Sequence, residues 1–262
     1  MKKHLNKISK TSALLDKRGW AEANAGNISL RIGNISNNYY KKYQLGELKN
    51  FQKTFTHLSN QVIIVTGAGT RMRDVKRKPE RYLFILKINE AGNMFQQIIS
   101  NKTNKNLKPT SELISHLYIH NMLLANKREE RSIVHTHPAN LIALSHIQKF
   151  CNQDAINNLL WSIQPETVVL ANEGIAFIPY QLTGSEKLAI ETTKALEKHR
   201  VALWEKHGCI AIGKSPEKAF DLIDVLEKSA FIFFIYKNAG YNVEGINDIK
   251  QKKMRRHFKI LL

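Results

Sequence analysis

The sequence predicts an α/β fold in which a central mixed sheet carries helices on both faces. Short apolar runs of strand length alternate along the chain with longer segments whose apolar residues recur at helical spacing, a mixture typical of layered α/β architectures. A length of 262 residues with 43% hydrophobic content is enough for a sizeable core. The sequence has neither a repeat of fixed period nor a low-complexity linker, so we expect one domain over residues 1–262, with a basic tail from about residue 248.

The first half of the chain predicts a helix followed by three strands. TSALLDKRGW is a short helical segment that ends near Gly19, and NISLRIG alternates as a strand that leaves the tight turn NAGN. The polar stretch over residues 37–50 predicts an insertion or loop. QVIIVTG and YLFILKIN then predict strands on either side of a glycine-punctuated turn.

The second half predicts alternating helices and strands. SELISHLYIHNMLLANK has mostly helical spacing, and the strand RSIVHTH is followed by Pro138, which is well placed to begin the helix ANLIALSHI. In LTGSEKLAIETTKALEKH, Thr183 stands three residues before Glu186, the spacing of a capping box. VALWEKHG and CIAIG predict two further strands, and the Ser-Pro pair at 215–216 begins a long final helix that reaches residue 237.

The basic charge of the chain raises the question of nucleic-acid binding. Forty Lys and Arg against 22 Asp and Glu give a formal net charge of +18. The densest basic stretches, residues 72–78 and 250–256, carry no interleaved aromatic residues of the kind that stack on bases. We therefore do not expect a nucleic-acid partner, and we interpret the charge as compositional bias combined with attraction for an anionic substrate.

Cysteine content and apolar run length indicate the compartment. Only Cys151 and Cys209 are present, so a disulfide scaffold is not expected and a reducing cytoplasm is the natural location. The densest apolar run, residues 230–236, is far shorter than the ~20 residues of a membrane-spanning helix. The basic N-terminus is not followed by the apolar segment of a secretory signal, so we expect neither membrane insertion nor secretion.

The stretch IVHTHPAN contains the first candidate metal ligands. In a strand, alternate residues project from the same face, so His135 and His137 can direct their ring nitrogens to one point. Catalytic zinc commonly takes three protein ligands and leaves one position open. His207, which ends another strand and is followed by Gly208, is the best third candidate. The alternative, a pair of buried histidines bonded to backbone and water, stays open on the residues alone.

A second histidine pair competes with the first. His116 and His120 have the i, i+4 spacing of zinc proteases, and Glu112 lies one turn earlier. The protease signature places a glutamate directly after its first histidine, whereas position 117 is Leu, so that signature is absent. We interpret His116 and His120, together with the isolated His146, as ordinary helix residues.

Three polar turns are candidates for anion binding. The turns NAGN at 24–27 and TGAG at 66–69 adjoin predicted strands, where exposed N–H groups can form a nest for a phosphate. In KPTSEL, Thr110 or Ser111 can cap a helix whose N-terminus attracts anions. The alternative for each is an ordinary turn or helix cap, and Glu112 suits a first helical turn in any case.

Six motifs in order carry a resemblance to a known family. GWAEANAGNISLRI, IVTGAGTRMRD, KPTSEL, VHTHPANLIAL, LLWSIQPE and LWEKHGCIAIG together resemble the class II aldolase and sugar-phosphate epimerase family, from about Gly19 to about Gly245. One branch of the family is indicated by LLWSIQPE with its Glu166, by WEKHG, and by the long insertion between NISLRI and QVIIVTG.

The resemblance implies a fold, an assembly and a set of site residues. It implies a three-layer α/β/α fold with a mostly antiparallel mixed sheet, assembled as a cyclic homotetramer. It makes His135, His137 and His207 the ligands of one Zn²⁺ per subunit and Glu112 the catalytic acid/base, while Glu166 acts on the aldehyde oxygen from a neighbouring subunit. The positions implied to hold the phosphate or the ketose are Asn24, Gly26, Asn27, Gly69, Thr110 and Ser111.

The activity implied by the resemblance is zinc-dependent aldol cleavage of L-rhamnulose 1-phosphate to dihydroxyacetone phosphate and L-lactaldehyde, a step of L-rhamnose catabolism. The metal would serve as a Lewis acid, so no Schiff-base lysine is required. Alternatives within the family are an aldolase, epimerase or dehydratase acting on fuculose, ribulose or methylthioribulose phosphate. An alternative of a different class is a non-catalytic relative with a binding or scaffolding role. Ala25 and Ala68 depart from the family pattern, and these changes would either loosen phosphate binding or shift it toward backbone N–H groups and Arg71.

Overall fold

The computed structural model describes residues 1–35 and 43–260. The first half contains α1 (Lys2–Arg18), β1 (Asn27–Gly33), β2 (Gln44–Asn50), β3 (Val62–Thr66), α2 (Met72–Arg77), α3 (Pro79–Tyr82), β4 (Leu83–Ile88), β5 (Met94–Ile99) and α4 (Leu113–Ala125). The second half contains β6 (Ser132–Thr136), α5 (Ala139–Leu144), α6 (Gln153–Ile163), α7 (Pro165–Leu170), β7 (Ile175–Ile178), α8 (Glu186–Leu196), β8 (Val201–Trp204), β9 (Gly208–Gly213), α9 (Pro216–Asn238) and α10 (Asp248–His257).

Nine strands form one sheet in the order β2-β5-β4-β3-β1-β6-β9-β8-β7. Among the described strands, only β7 and β8 pair in parallel, and the other neighbours are antiparallel. The predicted mixed, mostly antiparallel sheet is therefore confirmed. β1 lies between β3 and β6, so the strands of residues 27–99 and those of residues 132–213 meet at the ladder in which Asn27 pairs with His135.

Helices cover both faces of the sheet, as the sequence predicts. Neighbouring residues of β6 point in opposite directions, and all five are buried because each face is covered. Val134 belongs to the core with side chains of α1 and α9, whereas Ile133 packs with side chains of α4 and α8. The α/β/α layering is therefore confirmed, and it places α4 on the opposite face from α1 and α9.

Three predicted helix ends can be compared with the structure. α1 ends at Gly19, whose left-handed backbone (φ 70°) accommodates the C-cap, as expected. α9 begins directly after Ser215, whose hydroxyl accepts a hydrogen bond from Lys218 N–H, also as expected. The prediction of a capping box at Thr183 is wrong, because Gly184 turns the chain (φ 73°) and Ser185 is the N-cap residue of α8.

The chain has more regular structure than the sequence predicts. Within the polar stretch expected to be a loop, residues 44–50 form the exposed edge strand β2, while residues 36–42 lie outside the described residues. β5 and β7 carry no strong sequence signal, and α2 and α3 occupy the segment expected to be a glycine turn. An edge strand buries few side chains, so it needs no apolar alternation.

The basic tail forms a docked helix. α10 packs against α7, and the Arg255 guanidinium lies 4.7 Å from the Trp161 ring centroid and donates to the Asn172 carbonyl at 2.9 Å. The sequence predicts α9 to be the last helix, but the structure adds α10 after it. In the described parts of the chain, every helix is too short or too polar to cross a bilayer.

Candidate metal centre

Three neighbouring strands bring the three predicted ligands together. His135 lies in β6, His137 directly follows that strand, and His207 lies in the tight turn between β8 and β9. One ring nitrogen from each histidine lies within 4.8 Å of the other two. Gly208 permits this approach, because a Cβ there would stand 2.6 Å from the Thr136 carbonyl and 2.8 Å from the His137 ring.

The hydrogen bonds of the first two rings fix their tautomers. His135 Nδ1 lies 2.9 Å from the Cys209 carbonyl oxygen, and His137 Nδ1 lies 2.6 Å from Glu22 Oε1. Both partners can accept, so each Nδ1 carries a proton, and in the neutral ring each Nε2 presents a lone pair. The two Nε2 atoms are 3.3 Å apart, so with both rings neutral the two lone pairs face each other, an arrangement that a cation bound between them would stabilise. The donor set therefore fits a metal ion.

Burial keeps the histidines in the form that binds metal. Desolvation, followed by the neighbouring imidazole His137, lowers the pKa of His135 to about 3. Desolvation and then His135 lower the pKa of His207 to about 4. The Trp204 ring packs against both, at centroid distances of 4.5 Å and 5.1 Å. Both rings are therefore neutral at neutral pH, which zinc coordination requires.

Glu112 lies beside the cluster and is buried. Its Oε2 is 3.6 Å from His135 Nε2 and accepts a hydrogen bond of 2.7 Å from the Asn27 amide. The expected cap by Thr110 or Ser111 is wrong, because α4 begins at Leu113 and Glu112 itself occupies the N-cap without a side-chain capping bond. Thr110 Oγ1 instead accepts the Glu112 N–H at 3.4 Å, outside the helix.

The three predicted anion-binding turns lie side by side. Thr110 N–H donates to the Thr66 carbonyl at 3.0 Å, and Ile28 N–H donates to Thr66 Oγ1 at 3.2 Å. Gly26 has a left-handed backbone (φ 75°) and faces the His135 carbonyl, 3.0 Å from where a Cβ would stand. The remaining predicted phosphate positions on these turns are exposed: Asn24, Gly69 and Ser111.

Much of the TGAG turn is already hydrogen-bonded within the chain. The N–H of Gly67 donates to Tyr82, that of Ala68 to Lys108, and that of Thr70 back to Gly67. These three backbone N–H groups are already bonded and cannot donate to an anion. Of the predicted phosphate-binding turn, only Gly69 is left, together with the adjoining turns. Phosphate binding here stays a prediction.

Glu166 is the second predicted catalytic carboxylate. It is exposed at the start of α7 and lines a cavity of about 890 Å³ whose described lining includes neither the three histidines nor Glu112. Its role as a second carboxylate stays a prediction.

Two features of the site were missed by the sequence analysis. Glu22, in the turn before β1, orients His137. His116 and His120 lie outside the metal-ligand group, as expected, but they are fully buried and both contact the Ser29 hydroxyl, at 2.7 and 2.8 Å. Alternate residues of β1, Asn27 and Ser29, are polar and share the face toward α4, which is the signal that could have revealed this network.

Comparison with protein families identifies one model. The model of the class II aldolase and adducin N-terminal domain matches residues 6–234. Among curated proteins, a rhamnulose-1-phosphate aldolase of Bacteroides thetaiotaomicron is 36% identical over 259 residues, covering 98% of this chain and 95% of that protein. One of Yersinia pestis is 35% identical over 243 residues, covering 92% and 87%.

Solved structures agree with the fold. A sugar-phosphate aldolase from Thermotoga maritima superposes with a TM-score of 0.80 at 29% identity, covering 93% of this chain and 98% of that one. An L-fuculose 1-phosphate aldolase superposes with a TM-score of 0.64 at 19% identity, covering 99% and 97%. The second similarity concerns the fold alone.

Proposed function

The chain belongs to the class II aldolase and adducin family, and we propose that it is a zinc-dependent aldolase that cleaves L-rhamnulose 1-phosphate to dihydroxyacetone phosphate and L-lactaldehyde. The observation that carries the proposal is the convergence of the His135 and His137 lone pairs and the His207 ring beside the buried carboxylate of Glu112. The choice of ketose is supported by the rhamnulose-1-phosphate aldolases that are 35–36% identical over most of the chain.

The three histidines would hold the metal through their ring nitrogens. When bound, zinc supplies Lewis-acid stabilisation of the negative charge that builds on the ketose as its carbon–carbon bond breaks. Glu22 and the Cys209 carbonyl keep the ring nitrogens aimed at the site. The Trp204 ring excludes water on one side of His135 and His207.

The two carboxylates divide the proton transfers. Glu166, supplied by a neighbouring subunit, accepts the proton of the C4 hydroxyl, and the C4 carbonyl forms as the C3–C4 bond breaks. Glu112 delivers a proton to C3 of the three-carbon fragment, which leaves as dihydroxyacetone phosphate. The turns that carry Asn24, Gly26, Gly69, Thr110 and Ser111 bind the phosphate, and Asn27 holds Glu112.

The proposal includes the assembly and the setting. One domain over residues 1–262 binds one zinc, four chains close into a ring, and the enzyme works in the cytoplasm on a small sugar phosphate. The net charge of +18 favours an anionic substrate through its long-range field.

Metal analysis combined with a cleavage assay tests the function. We expect about one zinc per chain and release of L-lactaldehyde from L-rhamnulose 1-phosphate, with slower or no turnover of fuculose, ribulose and methylthioribulose phosphates. Preferred turnover of one of those sugars would assign a different reaction within the family. Zinc-loaded protein that turns over none of the four would favour a binding role.

Single substitutions test the ligand set. Replacing His207 by Ala should remove zinc and activity together, whereas His146→Ala, an exposed histidine after α5, should change neither. The contrary result is a folded His120→Ala protein that loses zinc while His207→Ala retains it. That result would place the metal site at His116 and His120.

A further inference from the structure

A continuous line of buried polar groups joins α4 to Glu112. It runs from His120 through Ser29, His116 and Asn27 to the Glu112 carboxylate. All five side chains are buried, and His116, His120 and Ser29 are fully so. Buried polar groups are costly unless each one is hydrogen-bonded, so the order of donors and acceptors along the line is constrained.

The direction of each hydrogen bond follows from the carboxylate end. The Asn27 amide nitrogen faces Glu112 and donates to its Oε2 across 2.7 Å. The Asn27 amide oxygen then faces His116 Nε2, which must carry a proton to donate to it. His116 Nδ1 is left as an acceptor, and it takes the Ser29 hydroxyl proton across 2.7 Å.

The same reasoning reaches the far end of the line. Having donated to His116, the Ser29 oxygen accepts from His120 Nε2, which lies 2.8 Å away. His120 Nδ1 is then an unprotonated nitrogen, and in the part of the chain that the structure describes it has no hydrogen-bond partner. Burial keeps both rings neutral, because desolvation lowers the pKa of His116 to about 4 and that of His120 well below its ordinary value.

We infer that His116, Ser29 and His120 are positioning residues that hold the Asn27 amide in the one orientation in which its nitrogen faces Glu112. Without a donor at His116 Nε2, the amide could turn and present its oxygen to the carboxylate. Glu112 would then lose its hydrogen bond beside His135. The inference rests on the proposed role of Glu112 in the reaction, and it assigns Asn27 to that carboxylate rather than to the phosphate.

Neutron diffraction from the deuterated, zinc-loaded protein without substrate tests the line directly. We expect a deuteron on Nε2 and none on Nδ1 in both His116 and His120, with the Asn27 amide nitrogen toward Glu112. A deuteron on His116 Nδ1, or the Asn27 oxygen toward Glu112, would overturn the inference. This measurement needs neither a variant nor catalytic activity.

A matched pair of serine variants tests the consequence for turnover. Ser29→Ala removes the link between the two histidines, whereas Ser115→Ala removes a buried hydroxyl on α4, the helix that carries both histidines, for which the described residues offer no hydrogen-bond partner. We expect Ser29→Ala to lower kcat about 10-fold to 100-fold, with zinc content and KM nearly unchanged, and Ser115→Ala to match the parent. Equal kcat in the two variants, or a rise in KM alone for Ser29→Ala, would contradict the inference.

A conservative replacement separates positioning from packing. Gln at position 116 can place an N–H near the position of Nε2, whereas Phe fills the space without a donor. We expect His116→Gln to keep more of the parent kcat than His116→Phe, and the reverse order would overturn the inference. If His116→Phe does not fold, the serine pair decides. If the parent cleaves no ketose phosphate, the proposed function fails, while the diffraction result still decides the hydrogen-bond direction.

Discussion

Two imidazoles of the candidate metal centre are oriented by partners outside their own strand. The carbonyl of Cys209 in β9 fixes His135, and the carboxylate of Glu22 in the turn before β1 fixes His137. Such partners set the tautomer of a ligand histidine and raise its basicity. The affinity of the site for zinc should therefore depend on a residue that does not touch the metal.

Glu22→Ala should weaken zinc binding about 10-fold to 100-fold, because His137 loses the acceptor that holds its proton on Nδ1. Competition with a chelator of known affinity measures the effect. Glu129→Ala removes an exposed carboxylate paired with Lys214 and serves as the control. Equal zinc affinity in both variants would mean that Glu22 does not orient the ligand.

Glu112→Gln should reduce turnover by about 10²–10⁴ while zinc and the fold are retained, because the amide cannot exchange the proton of a general acid/base. The amide oxygen can still accept from Asn27, so the neighbouring hydrogen bonds need not be lost. Steady-state kinetics with zinc content in parallel provide the measurement. Full activity in this variant would remove Glu112 from the mechanism.

At the level of elements, α4 has an unusual composition for a buried helix. His116 and His120 lie at i, i+4 on the side that faces β1, and both are fully buried. Burial lowers the pKa of His116 in the folded protein to about 4, below the value of 6.5 that an exposed histidine has. The unfolded chain therefore binds more protons between these values, and the free energy of unfolding falls as pH is lowered through that window.

Metal-free protein should lose about 3 kcal/mol of stability through His116 between about pH 6.5 and pH 4, at 1.36 kcal/mol for each unit of pKa difference. Urea denaturation across this range measures it. His135 and His207 change stability in the same direction, so the comparison is with His116→Gln, which does not titrate. An unchanged pH dependence in that variant would show that His116 takes up its proton in the folded protein.

The sequence predicts elements and sites that depend on local pattern. β3 and β6 are fully buried and read clearly as strands, and the period of two placed His135 beside His137. The sequence does not predict β2, because an exposed edge strand has no buried face and therefore no alternation of apolar and polar residues. The contact between Asn27 and His116 joins residues 89 positions apart, so it exists only because β1 inserts beside β6 and faces α4.

At the scale of the whole molecule, the two carboxylates of the proposed mechanism have different surroundings within one chain. Glu112 contacts the histidine cluster, whereas Glu166 lines a cavity whose described wall excludes that cluster. A ring in which each chain lends Glu166 to its neighbour reconciles these positions with a shared reaction.

Mixed oligomers of a Glu112→Gln chain and a Glu166→Gln chain should recover part of the activity that each lacks alone, because some sites then receive both intact carboxylates. Activity after co-expression with two different affinity tags measures the recovery, and tandem purification verifies the mixing. Inactive mixed rings would require both carboxylates to come from the same chain.

The order of the strands also has a consequence for the kinetics of folding. Residues 27–99 build five adjacent strands and residues 132–213 build the other four, so each half of the sheet can close without a strand from the other half. All three histidines belong to the second half, whereas Asn27 reaches them only when β1 pairs with β6. During refolding, zinc uptake should therefore recover before aldol cleavage does, and stopped-flow zinc uptake beside timed activity measures the lag. Simultaneous recovery would mean that the two halves of the sheet form in one step.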